Sequence, residues 1–491
     1  MRGLATSSTT SEHIRDPDSI FTSEEVFEKL EHVKGKTFGE LVIDDPDFWN
    51  TKNKGIAGHI VEKFVLGYGL NNNPEPDIEV DGVGTEVKTT GMRKVDKKFV
   101  AKEPVSITQV FIDIIVKEEF ERSHFWNKVR QMLFVYYFYD YKGPYNVEEY
   151  RRFIIEGYEL RVIPPEDKRV LESDWTTVRD FLREAKTHDK PESYYPELSH
   201  LQLMYVDVAP KYPNTPRFRF RRAYVNGFIQ EYFYGRTQTK LPFTFDKYSQ
   251  FDAKCDELAA KYKGYTVFEL LHHFQIFTKS IHKAISERIV LKMFGSDAHK
   301  INDIDVFNKL GLIGKTLVQS TRNTRTEDMK LFKIDFDEIR NPDLVFEFSQ
   351  FYSYFKDYQM LTVIFQEQTE KDVRFEDNRF VGFRRVSFSE EFIQNEVRPV
   401  WEEIRRLVNN NELVEVFKTD RYGNRLMTPK TKIPISAPNF PKSDKHLVFV
   451  RGSGVDKSKL PQEINSIKML TQYIWIRGRE MNEVMNGVRS F

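Results

Sequence analysis

Apolar side chains in the first third of the chain recur at helical spacing and then give way to strand-like runs. A helix is expected over Ser23–Val33, with Thr22 or Ser23 as its N-cap and acidic residues in its first turn. A second is expected over Gly55–Leu66, where Ile56, Ile60 and Phe64 share one stripe and Ala57, Val61 and Val65 an adjacent one. Gly67 and Gly69 follow as stop signals, and Asn71–Asp77 reads as a loop rich in Asn and Pro. Thr85–Thr90 and Thr108–Lys117 look like strands, and Leu133–Tyr139 like a fully buried one. Together these elements predict a mixed α/β domain.

The pattern then repeats. Lys54-Gly55-Ile56 and Glu62-Lys63-Phe64-Val65-Leu66 lie over Lys279-Ser280-Ile281 and Glu287-Arg288-Ile289-Val290-Leu291. Lys36-Thr37-Phe38-Gly39-Glu40-Leu41 lies over Tyr265-Thr266-Val267-Phe268-Glu269-Leu270, and Lys128 with Gln131-Met132-Leu133 over Lys356 with Gln359-Met360-Leu361. Three matches in one order at a nearly constant offset predict a duplicated domain. The expected organisation is a leader over 1–20, a first domain over 21–240, a linker over 241–264 and a second domain over 265–491.

Composition narrows the class. At 491 residues the chain exceeds what one core sustains. Its 74 Lys plus Arg balance 74 Asp plus Glu, which excludes a polybasic, histone-like chain but leaves room for a local basic face. The single cysteine, Cys255, excludes an internal disulfide and a thiolate zinc cluster, and points to a reducing compartment. Met1–Thr10 is small and polar, without an apolar signal core, and Met132–Tyr139 is too short to span a bilayer. A soluble, cytoplasmic protein without a membrane partner is expected.

The chemistry concentrates at Pro76-Asp77 and Glu86-Val87-Lys88. On a strand, Glu86 and Lys88 share a face, and Asp77 at the mouth of the preceding loop can approach Glu86. Two hard anionic oxygens suit Mg²⁺, which keeps several waters and shares its shell with substrate phosphate. Such an ion acidifies a water and polarises a phosphodiester, while Lys88 orients that water or offsets charge on the phosphate. Glu62 is a further candidate for the metal shell. Taken alone, a Pro-Asp and a Glu-x-Lys also describe a solvated strand edge; the helix before and the buried strand after make the difference.

Lys54-Gly55…Glu62, Pro76-Asp77, Gly84-Thr85-Glu86-Val87-Lys88-Thr89 and Ser123-His124-Phe125-Trp126-Asn127-Lys128 together resemble the MutH-type nucleases of the PD-(D/E)xK superfamily. In particular they are similar to the two-domain, GATC-cutting type II restriction endonucleases of the Sau type. The resemblance implies a restriction-endonuclease-like, mixed α+β core duplicated as two tandem domains. It further implies Glu62, Asp77 and Glu86 as the acidic set, with Lys88 and Lys128 as catalytic lysines. Nine positions separate Asp77 from Glu86 where the family usually has seven, so a longer turn through Asp81-Gly82 is expected, and Glu79 or Asp81 stands as a substitute for Asp77.

Two basic stretches complete the picture. Between 211 and 240, Lys211, Arg217, Arg219, Arg221, Arg222, Arg236 and Lys240 face the lone acid Glu231. Arg217, Arg219 and Arg221 alternate with Phe218 and Phe220, so a strand would aim guanidinium groups at bases or phosphates and anchor the rings behind them. The alternative is an edge strand protected by charge. Residues 418–459 carry ten Lys or Arg against three Asp, and the stretch from Arg451 through Lys457 and Lys459 to Ile476 resembles the closing DNA-reading segment of the Sau-type enzymes.

In the second copy, laying Gly84 on Gly314 puts Thr316 at the Glu86 position and Val318 at the Lys88 position, while Glu287 and Lys356 survive. The second domain is therefore expected to bind DNA without cutting it. The leading expectation is a Mg²⁺-dependent, sequence-specific endonuclease acting on double-stranded DNA, with GATC implied by the resemblance and with DNA-induced dimerisation or looping between two sites. A non-catalytic DNA-binding regulator on a nuclease scaffold and a mismatch-repair nickase are the alternatives.

Overall fold

The computed structural model describes residues 19–42, 45–50, 55–69, 75–95, 98–141, 146–211, 214–235, 238–322, 326–369, 374–420, 422–427, 432, 434–454, 460–487 and 490–491. Nearly all of the expected leader, together with Lys54, Arg236, Lys457 and Lys459, lies outside the described residues. The described chain forms two compact units, one running to Asp140 and resuming over Asn146–Phe220, the other holding Tyr141 and Arg221–Phe491. No described helix is long and apolar enough to cross a membrane.

The first unit is built on a mixed sheet of β1 (Ile20–Phe21), β2 (Ile78–Val80), β3 (Val83–Val95), β4 (Lys98–Ala101), β6 (Gln131–Phe138) and β7 (Ile154–Val162), in the order β1-β2-β3-β6-β7 with β4 paired to β3. A second, three-stranded sheet joins β5 (Val105–Gln109), β9 (Asn214–Phe220) and β8 (Val206–Lys211), in the order β5-β9-β8. Central β6 is buried on both faces, as its unbroken apolar run requires. Thr22 closes a capping box on the helix Ser23–Val33, and Asp81 and Gly82, both at positive φ (51° and 76°), make the tight turn joining β2 to β3. The turn expected through Asp81-Gly82 is thus a two-residue hairpin turn.

The expected strand over Thr108–Lys117 breaks in two. It ends with β5 at Gln109, and Ile112–Ile115 is a short helix. The β-branched run argued for a strand, but Ile112 and Ile115 are buried and Ile114 is exposed, the three-residue spacing of a helix face.

The second unit repeats part of the first. Its sheets are β10 (Leu312–Gln319), β12 (Gln359–Gln366) and β13 (Arg379–Val386), and β11 (Met329–Lys333), β19 (Gln472–Ile476) and β16 (Val448–Gly452). Two hairpins, β14 (Glu415–Phe417) with β15 (Ser436–Pro438) and β17 (Gln462–Ile464) with β18 (Ile467–Met469), are additions. β10 runs parallel to β12 as β3 does to β6, and β13 returns antiparallel like β7. The match of Lys36–Leu41 with Tyr265–Leu270 is structural: Thr37 with Glu40 and Thr266 with Glu269 form the same capping box. Ser123 and Ser349 likewise cap the helices His124–Val129 and Gln350–Asp357.

The boundary differs from the one expected. Arg222–Tyr234 is a helix counted with the second unit, where Arg222 pairs with Asp357 at 2.6 Å. Residues 241–264 are no simple linker, because they contain the helix Tyr248–Tyr262. Its buried Phe251, Cys255, Leu258 and Tyr262 fall at helical spacing, Ala259 packs near Gly382 of β13, and Asp252 holds Arg385 at 2.8 Å. A segment without Gly-rich composition and with an apolar stripe has a sheet to cover.

Candidate active site

The helix Ile56–Ile60 continues without a break into a π-turn, Val61–Leu66, which Gly67 ends in the left-handed conformation (φ 86°). The backbone N–H groups of Gly67 and Tyr68 both donate to the Glu62 carbonyl, at 2.8 and 3.1 Å. Single π-turns widen a helix locally and re-aim its side chains. This one turns Glu62 and Tyr68 toward the acids on β3 and its approach, and Gly58 lies alongside, where a Cβ would meet Glu62 Oε1 at an ordinary contact distance of 3.6 Å.

Asp77 stands just before β2, where its Oδ2 accepts from the Val87 N–H at 2.9 Å, so the loop acid is tied to the strand carrying Glu86. Glu86 is 2% exposed, and both of its oxygens are engaged: Lys88 Nζ donates to Oε1 and Lys128 Nζ to Oε2, each at 2.7 Å. Lys128 reaches it from the helix His124–Val129, which leads into β6, the parallel neighbour of β3. Glu62, Asp77, Glu86, Lys88 and Lys128 are thus brought together. Asp81 does not join them: it is exposed in the turn and accepts from the Ser23 N–H, while Glu79 is half-buried on β2, its backbone opposite Gly84.

The electrostatics are those of crowded carboxylates in a dry place. Burial, together with the charges of Asp77 and Glu86, pushes the Glu62 carboxyl up to about 7. Burial and Glu86 raise Asp77 as well, against the opposing pull of Lys88, Lys128 and the Val87 N–H. Burial alone would favour neutral Lys88, but Glu86 and Asp77 outweigh it and hold the ammonium above its ordinary range. Among the described residues, no three His, Cys, Asp or Glu side chains sit close enough to hold an ion together. The donor set still fits a hard cation that takes one or two carboxylates and fills its shell with water and phosphate oxygen. Asp77 and Glu86 supply hard oxygens, and the raised Asp77 and Glu62 mark negative charge that a cation would relieve. Such a cation would compete with the two lysines for Glu86.

The arginine strand is only partly as expected. Phe218 and Phe220 are buried behind β9, Arg217 is exposed on the other face, and Arg219 forks onto Asp207 of β8 at 2.8 and 2.9 Å. Arg221 has left the strand to cap the next helix and donates to the Tyr248 hydroxyl at 3.1 Å. Arg222 departs outright from the DNA-facing role: it is 7% exposed and donates to Ser353 at 2.7 Å besides its pair with Asp357. The strand period placed it on the arginine side, but a helix begins there and turns it into the unit. Lys211 ends β8, and its side chain is outside the described set. Arg451 lies partly exposed on β16, paired with Asp328 at 2.6 Å and placed over the rings of Phe449 and Trp475.

The family model of the DNA mismatch repair enzyme MutH matches residues 66–174, the stretch that holds Asp77, Glu86, Lys88 and Lys128. The type II restriction enzyme Sau3AI of Staphylococcus aureus is 22% identical over 484 residues, covering 92% of this chain and 93% of that protein. The chain is a site-specific deoxyribonuclease that resembles MutH over residues 66–174. Similarity to a restriction enzyme runs through both units of this endonuclease, whereas the MutH match stays within the first.

The strand register corrects one alignment in the second unit. Glu86 lies opposite Met132 in the β3–β6 pair, and Ile313 lies opposite the matching Met360 in β10–β12. The same register sets Lys315 at the position of Lys88 and Gly311 at that of Gly84. Thr316 and Val318, the sequence-level choices, are three residues too far on, because Gly314 looked like the matching glycine. The second unit of the endonuclease has thus exchanged the central carboxylate for isoleucine and kept the lysine. Glu287 accepts from the Ile301 N–H at 2.7 Å, and Lys356 pairs with Glu390.

Proposed function

We propose that this endonuclease cuts double-stranded DNA at GATC with Mg²⁺, through Glu62, Asp77, Glu86, Lys88 and Lys128 of the first unit. The observation that carries this reading is Glu86, buried and held between two lysines with Asp77 tied to the same strand. Asp77 and Glu86 would hold the ion and Glu62 would stand in its outer shell. When bound, the ion supplies an acidified water and polarises the scissile phosphate. Lys88, kept charged by its acidic neighbours, positions the attacking water and offsets charge gathering on the phosphate. Lys128 keeps Glu86 oriented from the neighbouring strand's approach.

Recognition of the site would fall to the β9 face, with Arg217 exposed on it and Arg219 oriented by Asp207. The specificity for GATC rests on the similarity to Sau3AI, and DNA contact at this face on the alternation of arginine and buried phenylalanine in β9. The second unit, with isoleucine in place of the central carboxylate, would bind DNA and regulate the first without cutting. Digestion of a mapped plasmid with Mg²⁺ or EDTA, with sequencing of the fragment ends, tests the reading. Ends at GATC only with Mg²⁺ are expected; cutting in EDTA, or ends scattered over sequence, would overturn it.

A further inference from the structure

One polar group beside the carboxylates has no role in the scheme above. Tyr68 follows Gly67 at the end of the π-turn, is 4% exposed, and its buried hydroxyl has no hydrogen-bond partner among the described residues. Its backbone N–H is fastened to the Glu62 carbonyl, so the phenol and the Glu62 carboxylate spring from one turn of chain. Burial, and the charges of Glu62, Asp77 and Glu86 in that order, raise the phenol far above its ordinary range and keep it a neutral O–H donor. A buried donor with nothing to bond to destabilises the fold, and phenylalanine would fill the same space without that penalty. Groups that cost stability when a site is empty are those that gain a partner when it is filled.

We infer that Tyr68 is a positioning residue of the carboxylate site, whose hydroxyl donates to the Glu62 carboxylate in the cation-loaded protein and fixes its orientation. The inference rests on the metal-binding reading given above. Glu62 is the natural acceptor: it is the acid that Tyr68 senses most strongly, and the shared π-turn leaves the pair little freedom to separate. A charge-assisted O–H···O⁻ bond of this kind is stronger than a neutral one and directional, which is what an outer carboxylate needs if it is to keep one orientation.

The test is a pair of measurements on the full chain, for wild type, Tyr68→Phe and Glu86→Ala. Thermal unfolding in EDTA reads the empty site, and calorimetric titration with Mn²⁺ reads the loaded one without reference to cleavage. Tyr68→Phe should raise the unfolding temperature in EDTA by about 2–4 °C, because it removes an unpaired hydroxyl. It should also weaken Mn²⁺ binding about tenfold, the low end of what loss of a carboxylate's supporting hydrogen bond costs. An unchanged or lower unfolding temperature overturns the inference, since the hydroxyl would then be paired in the empty site. Unchanged Mn²⁺ affinity overturns it too, leaving Tyr68 a structural ring. If wild type and Glu86→Ala bind Mn²⁺ equally, the metal-site reading itself fails, a result distinct from either.

Discussion

The two units place a lysine at the same point of the same parallel strand pair and surround it differently. Lys88 lies between Glu86 and Asp77 and is held charged although little of it reaches solvent. Lys315 has Ile313 where Lys88 has Glu86; it donates to the Lys330 and Leu331 carbonyls at 2.9 and 3.3 Å, and burial together with Lys330 lowers it to about 8. A buried cation keeps its proton where carboxylates stand beside it and tends to lose it where they do not. One substitution, carboxylate to isoleucine, therefore separates a centre able to gather positive charge around a phosphate from one that merely ties a side chain to the backbone.

The sharpest way to break this comparison is to remove each lysine in turn. Lys88→Ala and Glu86→Ala should each lower cleavage about 10³-fold or more in Mg²⁺, the scale of losing a charged group from a preorganised centre. Lys88→Ala should retain specific DNA binding, and Lys315→Ala should cut within a few-fold of wild type. Rates of supercoiled plasmid cleavage under single-turnover conditions decide it; full activity of Lys88→Ala would move the chemistry elsewhere.

The arginines give a second contrast. Arg222→Ala should destabilise the protein by about 3–5 kcal/mol, since it strands Asp357 in a buried pair whose members are 8% and 10% exposed. Arg217→Ala should leave stability within about 0.5 kcal/mol. It should instead weaken DNA binding and reduce the salt slope by about one unit if the contact is to phosphate. Denaturant unfolding and fluorescence anisotropy over a salt series separate the two, and a loss of stability with Arg217→Ala would count against the exposed, DNA-facing assignment.

If the second unit regulates the first through DNA, plasmids with two sites should be cut faster than those with one, by a coupling of about 1–3 kcal/mol, and a short specific duplex should rescue the one-site substrates. Equal rates on both plasmids would reduce the second unit to structural support.

Sequence and structure parted where periodicities compete. The repeat was legible because capping boxes and buried strands are local: Thr37 with Glu40 and Thr266 with Glu269 announce the same turn in both copies. The Glu86–Lys88 pair was legible because alternation along a strand fixes its face. Arg222 was misread because the strand period was carried one step into a helix, and Ile112–Ile115 because a β-branched run hides a helical stripe. Lys315, the counterpart of Lys88, was missed because glycines guided the alignment, whereas strand pairing fixes the register. Tyr68 carried no pattern at all; only the π-turn brings it beside Glu62.

The smallest effect expected is also the most direct reading of the difference between the copies. A lysine lowered to about 8 in the folded protein and near 10.5 when unfolded leaves the unfolded chain with more bound protons over that interval. Stability gained from Lys315 therefore rises as pH climbs from about 8 to 10.5, and below 8 the buried charge counts against the fold. Lys315→Met keeps the length of the side chain and discards the charge, so it should raise the unfolding temperature at pH 7 by about 2–4 °C and flatten its dependence between pH 8 and 10 relative to wild type. Ile313→Glu should act in the opposite sense on the same lysine, restoring the neighbour that Lys88 enjoys and raising its proton affinity, which ¹⁵N NMR of the side chain would report. If Lys315→Met leaves the pH dependence between 8 and 10 untouched, Lys315 is charged just as Lys88 is, and isoleucine at 313 in place of a carboxylate has not altered the lysine beside it.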